Sequence, residues 1–226
     1  MKELTIGDII NYQIEKKNIE PEKLTEGLCS ASSLKRLITG DTKQSFFLVE
    51  RILQRLGISV NKITLLHNES DDSLLVMREM ISKLLVEKAY TKAEFILSEY
   101  EATADLNSPL QLQYVLEAKG VILSDGYGKH EEALELYRKA LKTVLDRFET
   151  DKLSEFMLGE EEMILLMLML REEMKVKNKN ISIYARQLLD YVEKQYEDEE
   201  VRTNVYSKLA WLLGESAIKN NQYEEA

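Results

Sequence analysis

Helix-forming residues dominate this chain of 226 residues, and residues that interrupt helices are rare. Proline occurs twice, at Pro21 and Pro109, and glycine nine times, whereas Leu, Glu, Lys and Ala abound. Proline and glycine are the residues least compatible with a helix interior, so this composition predicts an all-α fold. Hydrophobic residues make up 44% of the sequence, which is enough to bury a core and excludes a disordered chain.

The helical pattern changes near residue 66, which predicts a head domain (residues 1–66) and a body domain (residues 71–226). The head has short apolar stretches and polar turns, whereas the body has longer stretches with recurring alanine and aromatic positions. The head carries ten basic and eight acidic residues, a net charge of +2; the other twenty basic and thirty-two acidic residues give residues 67–226 a charge of −12. Because an acidic surface repels phosphate, any nucleic acid would have to bind the head. The alternative is that the acidic helices only keep the protein soluble.

Four or five short helices are predicted in the head. Apolar residues recur there at helical spacing, as in Ile6, Ile10 and Ile14. The small polar segment from Cys29 to Ser33 predicts a tight turn between the second and third helices. The expected helix ends carry capping residues, a proline and turn glycines: Thr5 with Asp8, Asn18, Pro21, Gly40, Ser45 and Gly57.

A distinct set of positions shapes this bundle: Ile6 and Ile10, Leu24 and Leu28, the run from Ala31 to Gly40, and the run from Leu53 to Ser59. At these positions the head resembles the phage-repressor-like (XRE-type) helix-turn-helix family. Two residues depart from the family pattern, since Pro21 stands where Gln is frequent and Cys29 where the turn usually has Gly. The resemblance implies a domain that binds double-stranded DNA through its third helix.

Side chains on the third helix are the candidates for DNA contact. Small hydroxyl residues near its N-terminal end, Ser32 and Ser33, can approach base edges in the major groove. Lys35, Arg36 and Lys43 can neutralise phosphates, which positions the head without specifying sequence. The alternative is that Ser30 or Ser32 merely caps the helix and that Arg36 pairs with a neighbouring carboxylate.

The clearest repeat in the body runs from residue 114 to 141. It contains small and aromatic residues at fixed offsets, namely Gly120, a glycine-rich turn at 125–128, Ala133, Tyr137 and Ala140. This unit resembles a tetratricopeptide repeat, in which a small residue at the position of Gly120 lets two helices touch. The interval from Gly120 to Ala133 is one residue longer than is typical of that family, and the turn glycines are expected to absorb it.

A second match closes the chain, with Gly214 and Ala226 at the positions of Gly120 and Ala133 and the usual interval of twelve residues between them. Two weaker units place Ala93 and Ala185 at the position of Ala133. Each helical hairpin can bury its apolar face only against its neighbours, so we expect a solenoid of degenerate repeats with a concave wall. The resemblance to tetratricopeptide repeats implies that the solenoid is right-handed. The last unit has only just begun its second helix at Ala226, so we expect this repeat domain to be incomplete. By their position in the repeat, Tyr114, Glu117, Trp211 and Glu215 are candidates for binding a peptide on the wall; alternatively, the two aromatic residues belong to the core.

Several classes of protein are excluded by what the sequence lacks. The single cysteine, Cys29, cannot form an intramolecular disulfide, fits a reducing cytoplasmic location and is expected to be a buried turn residue. The apolar run Met163–Leu170 is too short to span a bilayer and predicts a helix buried on nearly all sides. The acidic run Glu160–Glu162 before it is expected on a solvated helix face. His67 and His130 are far apart in sequence, and no zinc spacing, phosphate loop or nucleophile elbow occurs, so we expect no metal, no cofactor and no enzyme.

A repressor-like head on a tetratricopeptide body resembles the RRNPP group of Gram-positive bacteria, regulators that bind short signalling peptides in quorum sensing. The resemblance implies a cytoplasmic homodimer that binds double-stranded DNA at half-sites about 34 Å apart, does not associate with membranes and changes arrangement when a peptide binds. The alternative is a tetratricopeptide interaction scaffold that binds a partner protein and has a non-DNA-binding head. Pro21 and the small positive charge of the head favour that alternative.

Overall fold

A computed structural model of the chain describes residues 5–41, 45–58, 69–148, 152–177, 182–195 and 199–219. All regular secondary structure in these ranges is helical, so the predicted all-α class is confirmed. The α-helices are α1 (Ile6–Lys17), α2 (Pro21–Thr25), α3 (Ala31–Thr39), α4 (Phe46–Arg55), α5 (Glu69–Val86), α6 (Tyr90–Thr103), α7 (Pro109–Val121), α8 (His130–Lys142), α9 (Glu160–Lys177), α10 (Ser182–Gln195) and α11 (Glu199–Lys219). A π-helical turn, Ile122–Gly126, follows α7, and a 3₁₀ turn, Leu153–Glu155, precedes α9.

Most helix boundaries of the head lie at the predicted residues, but α2 already ends at Thr25, before Leu28, and α3 begins at Ala31, inside the segment predicted as a turn. The Thr5 hydroxyl accepts a hydrogen bond from the Asp8 backbone N–H at 3.1 Å, and the Asp8 carboxylate accepts one from the Thr5 N–H at 2.9 Å. This reciprocal pair satisfies two donors at the start of α1. Asn18 and Gly40 end α1 and α3 in the left-handed region, at φ 50° and 73°, which leaves room for the chain to turn.

The core of the head is built from the inner faces of α1 to α4. Ile10, Leu24, Ile52 and Leu53 are completely buried. A side chain at Gly7 would place its Cβ 2.1 Å from the Ile38 carbonyl oxygen, so the glycine allows α1 to contact the end of α3 directly. The four helices therefore form one compact bundle, as the apolar spacing predicts.

In the body, α7 and α8 form an antiparallel hairpin whose contact residues match the expected repeat positions. Ala133, Tyr137 and Ala140 are all fully buried. A Cβ on Gly120 would lie 2.4 Å from the Tyr137 ring, and the Gln113 side-chain amide donates to the Ala140 carbonyl at 3.3 Å. The predicted role of Gly120 as the contact point of two helices is therefore confirmed.

The interval from Gly120 to Ala133, one residue longer than is typical of the repeat, is accommodated differently from the prediction. The extra residue was expected in the glycine-rich turn, but α7 instead continues into the π-helical turn Ile122–Gly126. A π turn uses i→i+5 hydrogen bonds and so takes up more residues per turn than an α-helix. Only Gly128, at φ 67°, then reverses the chain into α8.

Helix α9 lies at the centre of the body and packs against both α8 and α11. Six of the eight residues in its apolar run, Met163–Leu170, are buried, in agreement with the prediction, and Ile164 and Leu168 are half-buried. No helix among the described residues is long and apolar enough to cross a membrane. Ala93 and Ala185, which were predicted at the repeat position of Ala133, are also fully buried. Ala226, predicted at the same position, lies outside the described residues.

Candidate functional site

The outward face of α3 is exposed to solvent. Ser32, Lys35 and Arg36 are exposed, whereas Leu34 and Leu37 point into the head. Neither basic side chain forms an ion pair with a described residue, so the alternative, that Arg36 pairs with a carboxylate, is not seen among these residues. Lys43, the third predicted phosphate contact, lies outside the described residues.

Three serines surround the N-terminus of α3. Ser30 is the capping residue, and its hydroxyl accepts a hydrogen bond from the Ser33 backbone N–H at 3.2 Å. The hydroxyls of Ser32 and Ser33 lie 2.8 and 3.0 Å from the Ser30 oxygen. The cap is therefore formed by Ser30, as the alternative interpretation proposed, while Ser32 remains exposed on the outward face.

Cys29 lies in the turn before α3 and is half-buried rather than fully buried as expected. Burial raises the pKa of its thiol, and the positive charge of Arg55 opposes the shift only in part. Because reactive cysteines have a lowered pKa, this environment is unlike that of a redox sensor.

Helix α4 lies against the body, where residues of α5, α7 and α9 contact it. At its start, Asp71 of α5 accepts hydrogen bonds from the Phe46 backbone N–H at 2.9 Å and from the Ser45 hydroxyl at 3.3 Å. A carboxylate at a helix N-terminus satisfies free N–H groups and interacts favourably with the helix dipole. The body therefore supplies the cap of a head helix.

A buried carboxylate held by two arginines joins the head to the body. Glu162 of α9 lies 2.9 Å from the Arg51 guanidinium and 3.1 Å from that of Arg55, and its side chain has no exposed surface. Arg51 also donates to Gln113 of α7 at 2.7 Å. Burial alone would raise the pKa of Glu162, but the two arginines outweigh it and the pKa lies below its ordinary value.

Glu162 corrects the prediction that the run Glu160–Glu162 is a solvated face. The missed signal is its spacing, because Glu162 precedes Leu166 and Leu170 by four and eight residues and shares their buried face. Arg55 extends the cluster into the head, where it donates to the Leu24 and Glu26 carbonyls at 3.0 and 2.7 Å.

Tyr114 lies beside this contact. The Arg78 guanidinium is 4.1 Å from the ring centroids of both Phe47 in the head and Tyr114 in α7, so it lies against both rings. The Tyr100 ring lies 5.1 Å from that of Tyr114. One predicted peptide contact is thus half-buried in an aromatic cluster that the head helps to cover.

Glu117 lies one helical turn after Tyr114 and is half-buried. Burial raises its pKa to about 8, with a further contribution from the negative charge of Glu161. Glu50 on α4 behaves similarly, since burial and then Glu161 raise its pKa to about 7. The contact between head and body therefore contains two carboxyl groups that favour the protonated form beside one, Glu162, that stays ionised.

Trp211 and Glu215 lie about one turn apart on α11, which packs against α9. Trp211 is 59% exposed and lines a groove with Ile164 and Leu168 of α9. Glu215 is half-buried, and one of its carboxylate oxygens has no hydrogen-bond partner among the described residues. The four predicted peptide contacts thus lie on two helices, Tyr114 and Glu117 on α7 and Trp211 and Glu215 on α11.

A second polar cluster joins the π turn to α9. The Glu172 carboxylate accepts a hydrogen bond from the Ser124 hydroxyl at 2.8 Å and lies 2.8 Å from Nδ1 of His130. Ser124 approaches the same His130 nitrogen, at 3.3 Å, whereas a catalytic triad needs serine and carboxylate on opposite ring nitrogens. These residues therefore hold the hairpin against α9.

No family model matches this sequence, and no curated protein or solved structure is significantly similar to it. Within the described ranges there is also no group of three or more residues that could hold a metal ion. Interpretation of the function therefore depends on the geometry of the outward face of α3, of the contact between head and body, and of the groove beside Trp211.

Proposed function

We propose that this protein is a DNA-binding transcriptional regulator whose helical body senses a short peptide and mediates dimerisation. The observation that carries the proposal is the orientation of the head. Its α4 is held against the body by Glu162, while α3 presents Ser32, Lys35 and Arg36 to solvent. A bundle that exposes a capped helix with basic side chains is suited to the major groove.

The distribution of charge supports the same interpretation. The body is strongly acidic, so it repels DNA and leaves the outward face of α3 as the favourable contact. Arg51 and Arg55 do not add to this face, because both are buried against Glu162. Binding would therefore depend on few phosphate contacts, and base or shape recognition by the α3 N-terminus would have to contribute.

The body supports the sensor part of the proposal. Its consecutive helices pack as hairpins, with Gly120 and Tyr137 in contact and buried alanines at the repeat positions. We propose that it is a tetratricopeptide-type solenoid, whose first helices form a concave wall. In a homodimer, two heads fixed on their bodies would meet half-sites about 34 Å apart, one turn of DNA.

A binding experiment with the full chain tests the head. Duplexes selected from a random library are titrated by fluorescence anisotropy at several salt concentrations. We expect Lys35→Ala/Arg36→Ala to weaken binding and to lower the salt dependence by about two phosphate contacts, because each basic residue at a phosphate contributes about one to the slope. Both side chains are exposed, so folding should be unchanged.

The matched control is Lys92→Ala/Lys139→Ala, which removes two exposed lysines from α6 and α8 of the body. This control should bind DNA as the parent protein does. If both double variants bind equally well, or if no selected duplex binds with salt-dependent affinity, α3 is not a DNA reader. The scaffold alternative would then be preferred, since the extensive contact between α4 and the body also suits a head with a purely structural role.

A further inference from the structure

An open groove lies between α9 and α11, beside the predicted peptide contact Trp211. Its apolar lining comes from Ile164 and Leu168 of α9 and from Trp211 and Leu212 of α11. The groove has a volume of about 390 Å³. Ligand pockets in proteins span about 300–1,000 Å³, so this one suits a few side chains rather than a long segment.

The other part of the concave wall is already occupied. Beside Tyr114 and Glu117, the head helix α4 contacts the body through Asp71, Arg78 and Glu162. A peptide could reach that part only by displacing a buried ion cluster, whereas Trp211 is exposed in the α9–α11 groove. Of the four predicted contacts, Trp211 is therefore the one that is exposed while the head is docked.

Charge at the edge of the groove narrows the ligand class. Lys208 is exposed and forms no ion pair with a described residue, although residues 67–226 together carry a charge of −12. Arg171 lies at the same edge, but it is already paired with Asp125 and Glu172, each at 2.9 Å. Lys208 is thus the available cation beside an apolar surface, and it complements a carboxylate.

We propose that the α9–α11 groove binds the apolar C-terminal residues of a short peptide, with the terminal carboxylate placed against Lys208. This inference rests on the proposed peptide-sensing function and identifies the end of the peptide that the body recognises. The aromatic face of Trp211 contacts the apolar side chains, and Leu212 forms the buried floor.

Intrinsic fluorescence provides a direct test, because Trp211 is the sole tryptophan of the chain. The probes are a panel of N-acetylated apolar tripeptides, each prepared with a free C-terminal carboxylate and as the carboxamide. We expect saturable changes in Trp211 emission, with the carboxylate forms binding at least about five-fold more tightly than the amides. Lys208→Gln should abolish this preference and Lys208→Arg should retain it.

Lys139→Gln on α8 is the matched control, since it removes an exposed lysine far from the groove in sequence and should leave the preference intact. The inference is overturned if no panel member changes the emission, if amides and carboxylates bind equally, or if decanoate binds as tightly as the best peptide. It is also overturned if acrylamide fails to quench Trp211 in the free protein, because the groove would then be covered. If the protein binds DNA in a salt-dependent way but does not respond to the panel, the peptide site is refuted and the proposed DNA binding is not. If it responds to the panel but does not bind DNA, the proposed DNA binding is refuted and the peptide site is not.

Discussion

Replacing Glu162 with Gln should reveal how much the contact between head and body contributes to stability. The substitution keeps the size of the side chain and its ability to accept a hydrogen bond from the Gly159 N–H, which donates to Glu162 at 2.7 Å. It removes the negative charge while the guanidinium groups of Arg51 and Arg55, 8% and 1% exposed, stay buried. Breaking a buried ion pair from one side costs about 3–5 kcal/mol, because the remaining charge is left without compensation.

A loss of this size is large for a protein, since total stabilities lie near 5–15 kcal/mol. In chains of this length each kcal/mol shifts the melting temperature by about 2–4 °C, so we expect Glu162→Gln to melt about 6–20 °C lower than the parent. Urea denaturation followed by circular dichroism gives the free energy of unfolding directly. Adding Arg51→Met to Glu162→Gln should recover part of the loss, because one uncompensated charge is then absent.

The control carries the same change at an exposed ion pair. Lys129 and Glu132 lie 3.1 Å apart with side chains 52% and 59% exposed, so Glu132→Gln should cost less than about 1 kcal/mol. If Glu162→Gln also costs less than about 1 kcal/mol, the pair around Glu162 is hydrated in solution and the rigid docking of the head is refuted.

Two further outcomes follow from the same geometry. Glu117 and Glu50 have raised pKa values, so the folded protein retains protons that the unfolded chain releases above about pH 4.5. The free energy of unfolding should therefore fall as the pH rises from about 5 to about 8. In Glu117→Gln, the urea midpoint should decline less over this range. Glu162 has a lowered pKa and acts with the opposite sign, since its contribution is lost only as pH falls below its ordinary range; a midpoint that stays constant or rises between pH 6 and 8 contradicts the assignment. Gly120→Ala should destabilise the chain by about 1–3 kcal/mol, because its Cβ would lie 2.4 Å from the Tyr137 ring. Gly214→Ala is the control and should be neutral or slightly stabilising, because a Cβ there meets no described atom within 4 Å. Equal urea midpoints for these two variants would refute the tight contact of α7 and α8.

Features determined by neighbouring residues were predictable from the sequence. The capping pair of Thr5 and Asp8 and the helix end at Gly40 depend on residues within one turn of each other. The same holds for the buried alanines of α8, because their spacing already places them on one helix face. Gly120 required only the further assumption that two consecutive helices form a hairpin.

Features determined by distant residues were not predictable in this way. Arg51 and Arg55 meet Glu162 across 111 and 107 positions of sequence, and no local pattern pairs them. The π turn at Ile122–Gly126 was also missed, since the extra residue was visible but the choice between a π turn and a longer loop depends on packing. Gly126, for example, packs against the Tyr90 ring, where a Cβ would lie 2.8 Å from the ring carbon.

Helix α9 links the two sites that the proposals involve. Glu162 in its first turn holds α4 of the head, and Ile164, Leu168 and Arg171 in the next two turns line the groove beside α11. Glu162 and Arg171 lie about 13 Å apart along the axis at a rise of 1.5 Å per residue, a distance over which a helix moves as one body. A ligand that favours one position of α9 against α11 therefore also favours one position of the Glu162 carboxylate against Arg51. Because a buried ion pair tolerates little displacement, we expect such a ligand to change the free energy of head docking, and by reciprocity we expect a change in docking to alter the affinity of the groove.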